Sequence, residues 1–187
     1  MHAAVCDFIL DCLQNSIEAG STRIDFSIRE DDRNFSVVIE DNGSGMTEKE
    51  LERAVDPFYT DGKKHEKRRV GLGLPFLIQA VELTEGDWNL ESEKGRGTRL
   101  SFSFDTDHLD TPPIGDISGT LLQAMLFDGG FELVFNREYG KIGRNESYSV
   151  SRSEIIEVLG DLSNSEALIM ARQFLRSQEE DLIEGDR

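Results

Sequence analysis

Asp41-Asn42-Gly43-Ser44-Gly45-Met46 is the stretch on which the reading of this chain turns. Its two glycines permit backbone conformations and close approaches that a side chain would block. The residues before it, 34–40, alternate as a strand, so Asp41 brings a carboxylate to the end of a buried strand. A buried anion must find donors. An ordinary turn has the same look, and a ligand amino group could supply those donors; at this point both readings stand.

Upstream, Val5, Ile9, Cys12, Leu13, Ser16 and Ile17 recur at spacings of three and four, which predicts an amphipathic helix over 5–19 ended by Gly20. Asp7, Asp11, Asn15 and Glu18 line its opposite face. A carboxylate and a carboxamide one turn apart can offer Mg²⁺ a hard oxygen ligand and water a base, and the same stripe also suits a solvated face. Strands are expected over 23–29 and 34–40 about a turn-prone Glu30-Asp31-Asp32-Arg33.

Downstream, Thr47 precedes Glu50 in a capping-box spacing, so a short helix is expected over about 48–55, stopped by Pro57. Residues 56–70 have no period. Within them, 62–69 carry five Lys/Arg against one Glu, a local +4 in a chain of net charge −17. That basic run leads into Gly71-Leu72-Gly73-Leu74-Pro75 at the start of a helix, where free N–H groups and the helix dipole favour a phosphate. Neither the dinucleotide-binding fingerprint nor the P-loop spacing is present. Strands over 88–92 and 98–104 are joined by Glu93-Lys94-Gly95-Arg96-Gly97.

Thr111-Pro112-Pro113 marks residues 105–115 as a linker. Beyond it a helix is expected over 118–126, then strands over 131–138 and 141–150, then two helices. Ser151 with Glu154, and Ser163 with Glu166, have the spacing of their N-terminal caps. The last helix mixes Leu168, Ala171, Arg172 and Leu175, a face suited to the first domain or another subunit. Arg137, Lys141, Arg144 and Arg152 are the clustered cations of this half, read as surface charge.

The 187 residues hold 37 Asp+Glu against 20 Lys+Arg and are 37% hydrophobic, the composition of a folded domain or two small ones. Such acidity argues against nucleic-acid or anionic-membrane partners. No apolar stretch approaches about 18 residues, and the N-terminus does not read as a secretory signal. Cys6 and Cys12 fall on different faces of one predicted helix, out of bridging reach, which suits a reducing, cytoplasmic setting.

Taken in order, these segments resemble the GHKL ATPase superfamily, which groups the ATP-binding domains of gyrases, heat-shock chaperones, histidine kinases and mismatch-repair ATPases. The run Asp11-Cys12-Leu13-Gln14-Asn15-Ser16-Ile17-Glu18-Ala19-Gly20 looks like its N-box, and with residues 21–25 is most similar to the mismatch-repair branch. Asp41 to Met46 looks like the next box. Asp56-Pro57-Phe58-Tyr59-Thr60, Gly71-Leu72-Gly73-Leu74 and Gly95-Arg96-Gly97-Thr98 look like the histidine-kinase branch. The resemblance covers residues 4–104.

That resemblance implies an α+β, two-layer sandwich of the Bergerat type, with helices on one face of a mixed, mainly antiparallel sheet, plus a small C-terminal α+β extension. The expected division is an ATP-binding domain over 1–104, a linker over 105–115 and an extension over 116–187. It also implies ATP and Mg²⁺ as cofactors, with Asn15 as the Mg²⁺ ligand and Asp41 accepting the adenine amino hydrogen. Gly43, Gly45 and Met46 belong to the adenine pocket, with Thr98 on its opposite wall. Gly71, Leu72 and Gly73, followed by Leu74, would offer N–H groups to the phosphates. Lys63, Lys64 and Arg69 belong to the family's ATP lid.

Two departures bear on activity. Asp11 stands where mismatch-repair and gyrase-type members carry the Glu that activates water, one methylene longer; Arg69-Val70 stand where histidine kinases carry an extra glycine. An autophosphorylating kinase needs an acceptor histidine ahead of this domain, and neither His2, His65 nor His108 suits that role. The expected function is a Mg-dependent ATP-binding protein, a slow ATPase whose lid closure acts as a regulatory switch toward a protein partner or a second copy. A stand-alone protein kinase resembling the anti-sigma serine kinases, and a non-hydrolysing nucleotide sensor, are the alternatives.

Overall fold

A computed structural model describes residues 4–56, 73–140 and 145–184. The first helix, α1 (Val5–Glu18), stops where Gly20 takes φ +76°. Its start is unusual. Ala4 offers no side-chain cap, and the first-turn N–H groups of Val5 and Cys6 donate instead to the carbonyls of Pro113 and Ile114, both at 2.9 Å. The expected linker is thus the cap of this helix, satisfying donors that a helix start leaves orphaned. Cys6 and Cys12 are both buried despite facing different ways, because α1 is covered from more than one side. Desolvation pushes their thiols up to about 11 and about 12, so both stay protonated and inert at neutral pH.

The elements that follow are β1 (Arg23–Asp31), β2 (Asn34–Asp41), α2 (Glu48–Ala54), α3 (Gly73–Leu83), β3 (Trp88–Glu93) and β4 (Gly97–Asp105). After them come α4 (Ile117–Met125), β5 (Glu132–Gly140), β6 (Glu146–Ser151), α5 (Arg152–Leu159) and α6 (Ser165–Glu184). Both capping boxes at α2 and α5 form as their spacings predict. The cap of α6 differs from expectation. Ser163 spends its hydroxyl on Asp161 Oδ2 at 2.8 Å, and Asn164 Oδ1 takes the Glu166 N–H at 2.9 Å instead.

The strands form one six-stranded sheet in the order β3-β4-β2-β1-β5-β6. All neighbours are antiparallel except β1 and β5, which run parallel from Arg23↔Glu132 to Asp31↔Gly140. Strands from the second half of the chain therefore extend the sheet begun by the first. Alternation decides the layering. Ile24, Phe26, Ile28, Phe35, Val37, Ile39, Leu100, Phe102, Phe104, Leu133 and Phe135 point to one face and are buried. The residues between them include Ser27, Ser36, Ser101, Ser103 and Asn136, none of them buried. Among the described residues helices cover only the apolar face: α1, α3, α4 and α6 share its core, and α4 packs on both α1 and α6. This is the two-layer α+β architecture expected, open rather than closed into a barrel.

At one end of that core the apolar stripe gives way to charge. Arg137 continues the inward positions Leu133 and Phe135, and Glu30 continues Ile28. Arg137 is fully buried: its guanidinium meets Glu30 Oε2 at 2.5 Å, Glu179 Oε2 of α6 at 3.4 Å and the Glu138 carbonyl at 2.9 Å. The Tyr148 hydroxyl donates to Glu179 Oε1 at 2.5 Å, and burial holds that phenol well above its ordinary range. Arg152 is also spoken for. It donates to the carbonyls of Met125 and Phe131 and lies 4.6 Å over the Phe131 ring. Two of the four cations read as surface charge are thus structural ties, while Lys141 and Arg144 lie outside the described residues. Among the described residues no helix is long and apolar enough to cross a membrane.

Candidate functional site

The last residue of β2 is Asp41, and register places it between Ile24 of β1 and Thr98 of β4. Its carboxylate is buried and has three protein donors. Oδ2 accepts from Ser16 Oγ at 2.7 Å; Oδ1 accepts from Ser21 Oγ at 3.1 Å and from the Gly43 N–H at 2.8 Å. The question left open by the sequence is thus answered in part: the turn and α1 supply donors themselves. A carboxylate has roughly four acceptor positions, so capacity remains for one more partner.

Glycines build the walls. A Cβ on Gly43 would sit 2.6 Å from Ser21 Oγ. Gly45 takes φ +56°, and a Cβ there would lie 2.0 Å from the Glu93 carbonyl oxygen; Gly97 takes φ +118°, and a Cβ there would lie 1.8 Å from the Asp41 carbonyl oxygen. The β3–β4 hairpin therefore closes directly on the Asp41 loop, which only glycine at these positions allows. Gly97→Ala is expected to cost at least about 3 kcal/mol, from a forced main-chain shift added to a disfavoured φ. A thermal melt should fall by about 6–12 °C.

Ser92 is a neighbour of this candidate site that sequence reasoning missed. Its Oγ accepts the Met46 N–H at 2.8 Å and shares contacts with the Gly97 carbonyl at 3.0 Å and Thr98 Oγ1 at 2.9 Å. The alternation Trp88, Leu90, Ser92 along β3 is the signal that could have found it. The same hairpin is latched to α2: Lys94 Nζ lies 3.2 Å from Glu50 Oε2 and 3.4 Å from the Gly45 carbonyl. Hydrogen bonds from the Thr47 N–H and hydroxyl, then from Lys94, hold the Glu50 carboxyl down at about 2. A carboxyl depressed in the folded state stabilises above its unfolded value of 4.5 and loses that contribution as pH falls toward about 2. NMR titration should therefore show the Glu50 resonance flat from neutrality to about pH 4, and Glu50→Gln should remove the low-pH step.

Along α1, Asp11 is half-buried, Asn15 is exposed and Ser16 is the residue holding Asp41. Asp11 faces the start of α3, since a Cβ on Gly73 would come within 3.1 Å of Asp11 Oδ2. Leu74 is half-buried against the core. Of the expected site residues, Asp11 and Asn15 lie on α1, Asp41 ends β2, Gly43, Gly45 and Met46 follow in the loop to α2, and Thr98 lies on β4 as the partner of Asp41. Lys63, Lys64, Arg69, Gly71 and Leu72 lie outside the described residues. Among the described residues no His/Cys/Asp/Glu group of three or more could by itself hold a metal ion.

A polar helix face and a buried carboxylate at a strand end, in a loop that glycines pack against α1 and the β3–β4 hairpin, make up the candidate site of this α+β sandwich. The comparisons with known proteins give the family. A model described as histidine kinase-, DNA gyrase B- and HSP90-like ATPase matches residues 4–108, and the chain belongs to that family as a histidine-kinase-type ATP-binding domain. Sporulation kinase A of Bacillus subtilis is 32% identical over 98 residues, which is 51% of this chain and 15% of that protein. Sporulation kinase E of the same organism is 35% identical over 92 residues, 48% of this chain and 12% of that one. The chain therefore spans a small part of these relatives' length. A solved N-terminal domain of a DNA repair protein shares the fold at 14% identity with a TM-score of 0.55, covering 86% of this chain and 58% of that one. That likeness covers more of the chain than the family segment does.

Proposed function

We propose that this protein binds Mg·ATP beside Asp41 and the polar face of α1 and hydrolyses it slowly, as a regulatory switch acting on a protein partner. The observation that supports it most is the Asp41 carboxylate: buried, oriented by Ser16, Ser21 and the Gly43 N–H, and with acceptor capacity left for an exocyclic amino group. Gly43, Gly45 and Gly97 pack the Asp41 loop at main-chain distance against the end of α1 and the β3–β4 hairpin, which holds the carboxylate in place. Asn15, exposed one turn along the same helix face, offers a carboxamide oxygen to Mg²⁺. Thr98, the cross-strand partner of Asp41, is held by Ser92 at 2.9 Å.

Bound ATP supplies the phosphoanhydride bond. Asp11 accepts the proton of the attacking water, from a side chain one methylene shorter than glutamate. Residues 1–104 serve as the binding domain in this reading, and 116–187 pass the nucleotide state outward through the 105–115 segment that caps α1. Titration calorimetry with ATP and ADP, with and without Mg²⁺, tests binding; absence of binding to the wild-type chain sinks the reading. Asp11→Glu should raise phosphate release by roughly tenfold without tightening ATP. A rate that stays unchanged removes Asp11 from the role of base.

A second reading is favoured by the kinase relatives: transfer of the γ-phosphate to a protein partner. Label from γ-labelled ATP appearing on a co-purified protein, with no free phosphate released, would select it over hydrolysis.

A further inference from the structure

The closing helix α6 has two unlike faces. Ala167, Ala171, Leu175, Glu179 and Leu182 are buried at helical spacing against the rest of the fold. On the other side Ile169, Met170 and Phe174 stand 57%, 56% and 42% exposed, a run of large apolar side chains on a helix of 20 residues. Polar residues bracket them asymmetrically. Glu166 lies one turn before the trio and Arg176 just beyond it, both exposed. Their ten-residue separation corresponds to about 15 Å along the axis.

We infer that this face is an isologous interface in which α6 of a second copy of the same chain packs antiparallel on Ile169, Met170 and Phe174. Antiparallel pairing about residue 171 sets Glu166 of each copy against Arg176 of the other while the apolar trios meet in the middle. One surface then supplies both halves of the match, as two-fold symmetry requires. Parallel pairing would set Glu166 on Glu166 and Arg176 on Arg176. A uniformly basic helix would meet Arg172 and Arg176 at the edge of the trio and a uniformly acidic one would meet Glu166, whereas a second α6 carries both signs. Arg176 already touches Glu180 at 2.7 Å within its own helix, but that pair is exposed at both ends and leaves most of the guanidinium donors available.

Two opposing effects set the strength. A single helix pair buries less than the roughly 1,200 Å² of a standard interface, which places the dimer in the weak, transient class. Like net charge on the two copies also repels, and salt screens that repulsion. Sedimentation velocity of the full chain from about 5 to about 500 µM should show a concentration-dependent monomer–dimer equilibrium, tighter at about 0.5 M NaCl than at about 0.05 M. Met170→Lys, at an exposed position that folding does not depend on, should weaken it by about tenfold or more. At intermediate salt, Glu166→Arg and Arg176→Glu should each weaken it by about threefold to tenfold, and the double variant should restore it. Circular-dichroism melts confirm that each variant folds. A chain that stays monomeric throughout, a dimer indifferent to Met170→Lys, or single reversals that the double variant does not rescue would each overturn the inference. None of these outcomes depends on nucleotide, so the test stands apart from the ATP-binding proposal.

Discussion

Asp41→Asn should weaken ATP binding by at least about 100-fold while the protein stays folded. The carboxylate serves Ser16 on one oxygen and Ser21 and the Gly43 N–H on the other. Asparagine keeps the shape but has one acceptor oxygen where two were used. The serine hydroxyls can rotate to accept from the new amide, so the fold loses about 1 kcal/mol. A ligand amino group has no such freedom. It loses a charge-assisted acceptor and faces an N–H donor in a buried pocket, which together cost about 3 kcal/mol. Calorimetry with ATP, paired with a thermal melt of the same sample, separates the two effects. Unchanged affinity in a folded variant would remove Asp41 from the nucleotide site.

Arg137→Ala should be the most damaging single change to stability, costing about 3–5 kcal/mol. Its guanidinium is fully buried between Glu30 and Glu179, which are themselves 14% and 11% exposed at the side chain. Removing it leaves two carboxylates in the protein interior without their cation, and opens a cavity where β1, β5 and α6 meet. A melt should fall by about 6–20 °C. The cost lies in leaving two like charges buried near one another more than in the lost bond, so a triple variant, Arg137→Met with Glu30→Gln and Glu179→Gln, should recover most of it. Failure of that rescue would point to packing rather than charge.

Local regularity explains what could be read in advance. The three-and-four spacing of α1, the alternation of β1, β2 and β4, and the boxes at Thr47/Glu50 and Ser151/Glu154 each depend on residues within a turn or a strand of one another. All formed as predicted. The cap of α6 did not, because Ser163 and Asn164 compete for neighbouring N–H groups and Asp161 takes the Ser163 hydroxyl. Propensity does not rank such neighbours. Ser92 was missed for a different reason: alternation along β3 places it on the face of Trp88 and Leu90, but its partners Met46 and Thr98 are known only from the fold.

From the sequence alone came the family motifs, the acidic residues of α1, Asp41 at a strand end and the glycines around it. These are one-dimensional features, since each motif is contiguous and its chemistry follows from residue type and spacing. Tertiary structure alone decided which groups satisfy Asp41, why Gly97 must be glycine and where the second half of the chain sits. It paired β5 with β1 across about a hundred residues of sequence, made carbonyls 113 and 114 the cap of α1, and turned an ordinary-looking arginine into the buried partner of Glu30 and Glu179. Each of these is a meeting of residues far apart in the chain. Burial and charge pairing exist only once the sheet has closed them together.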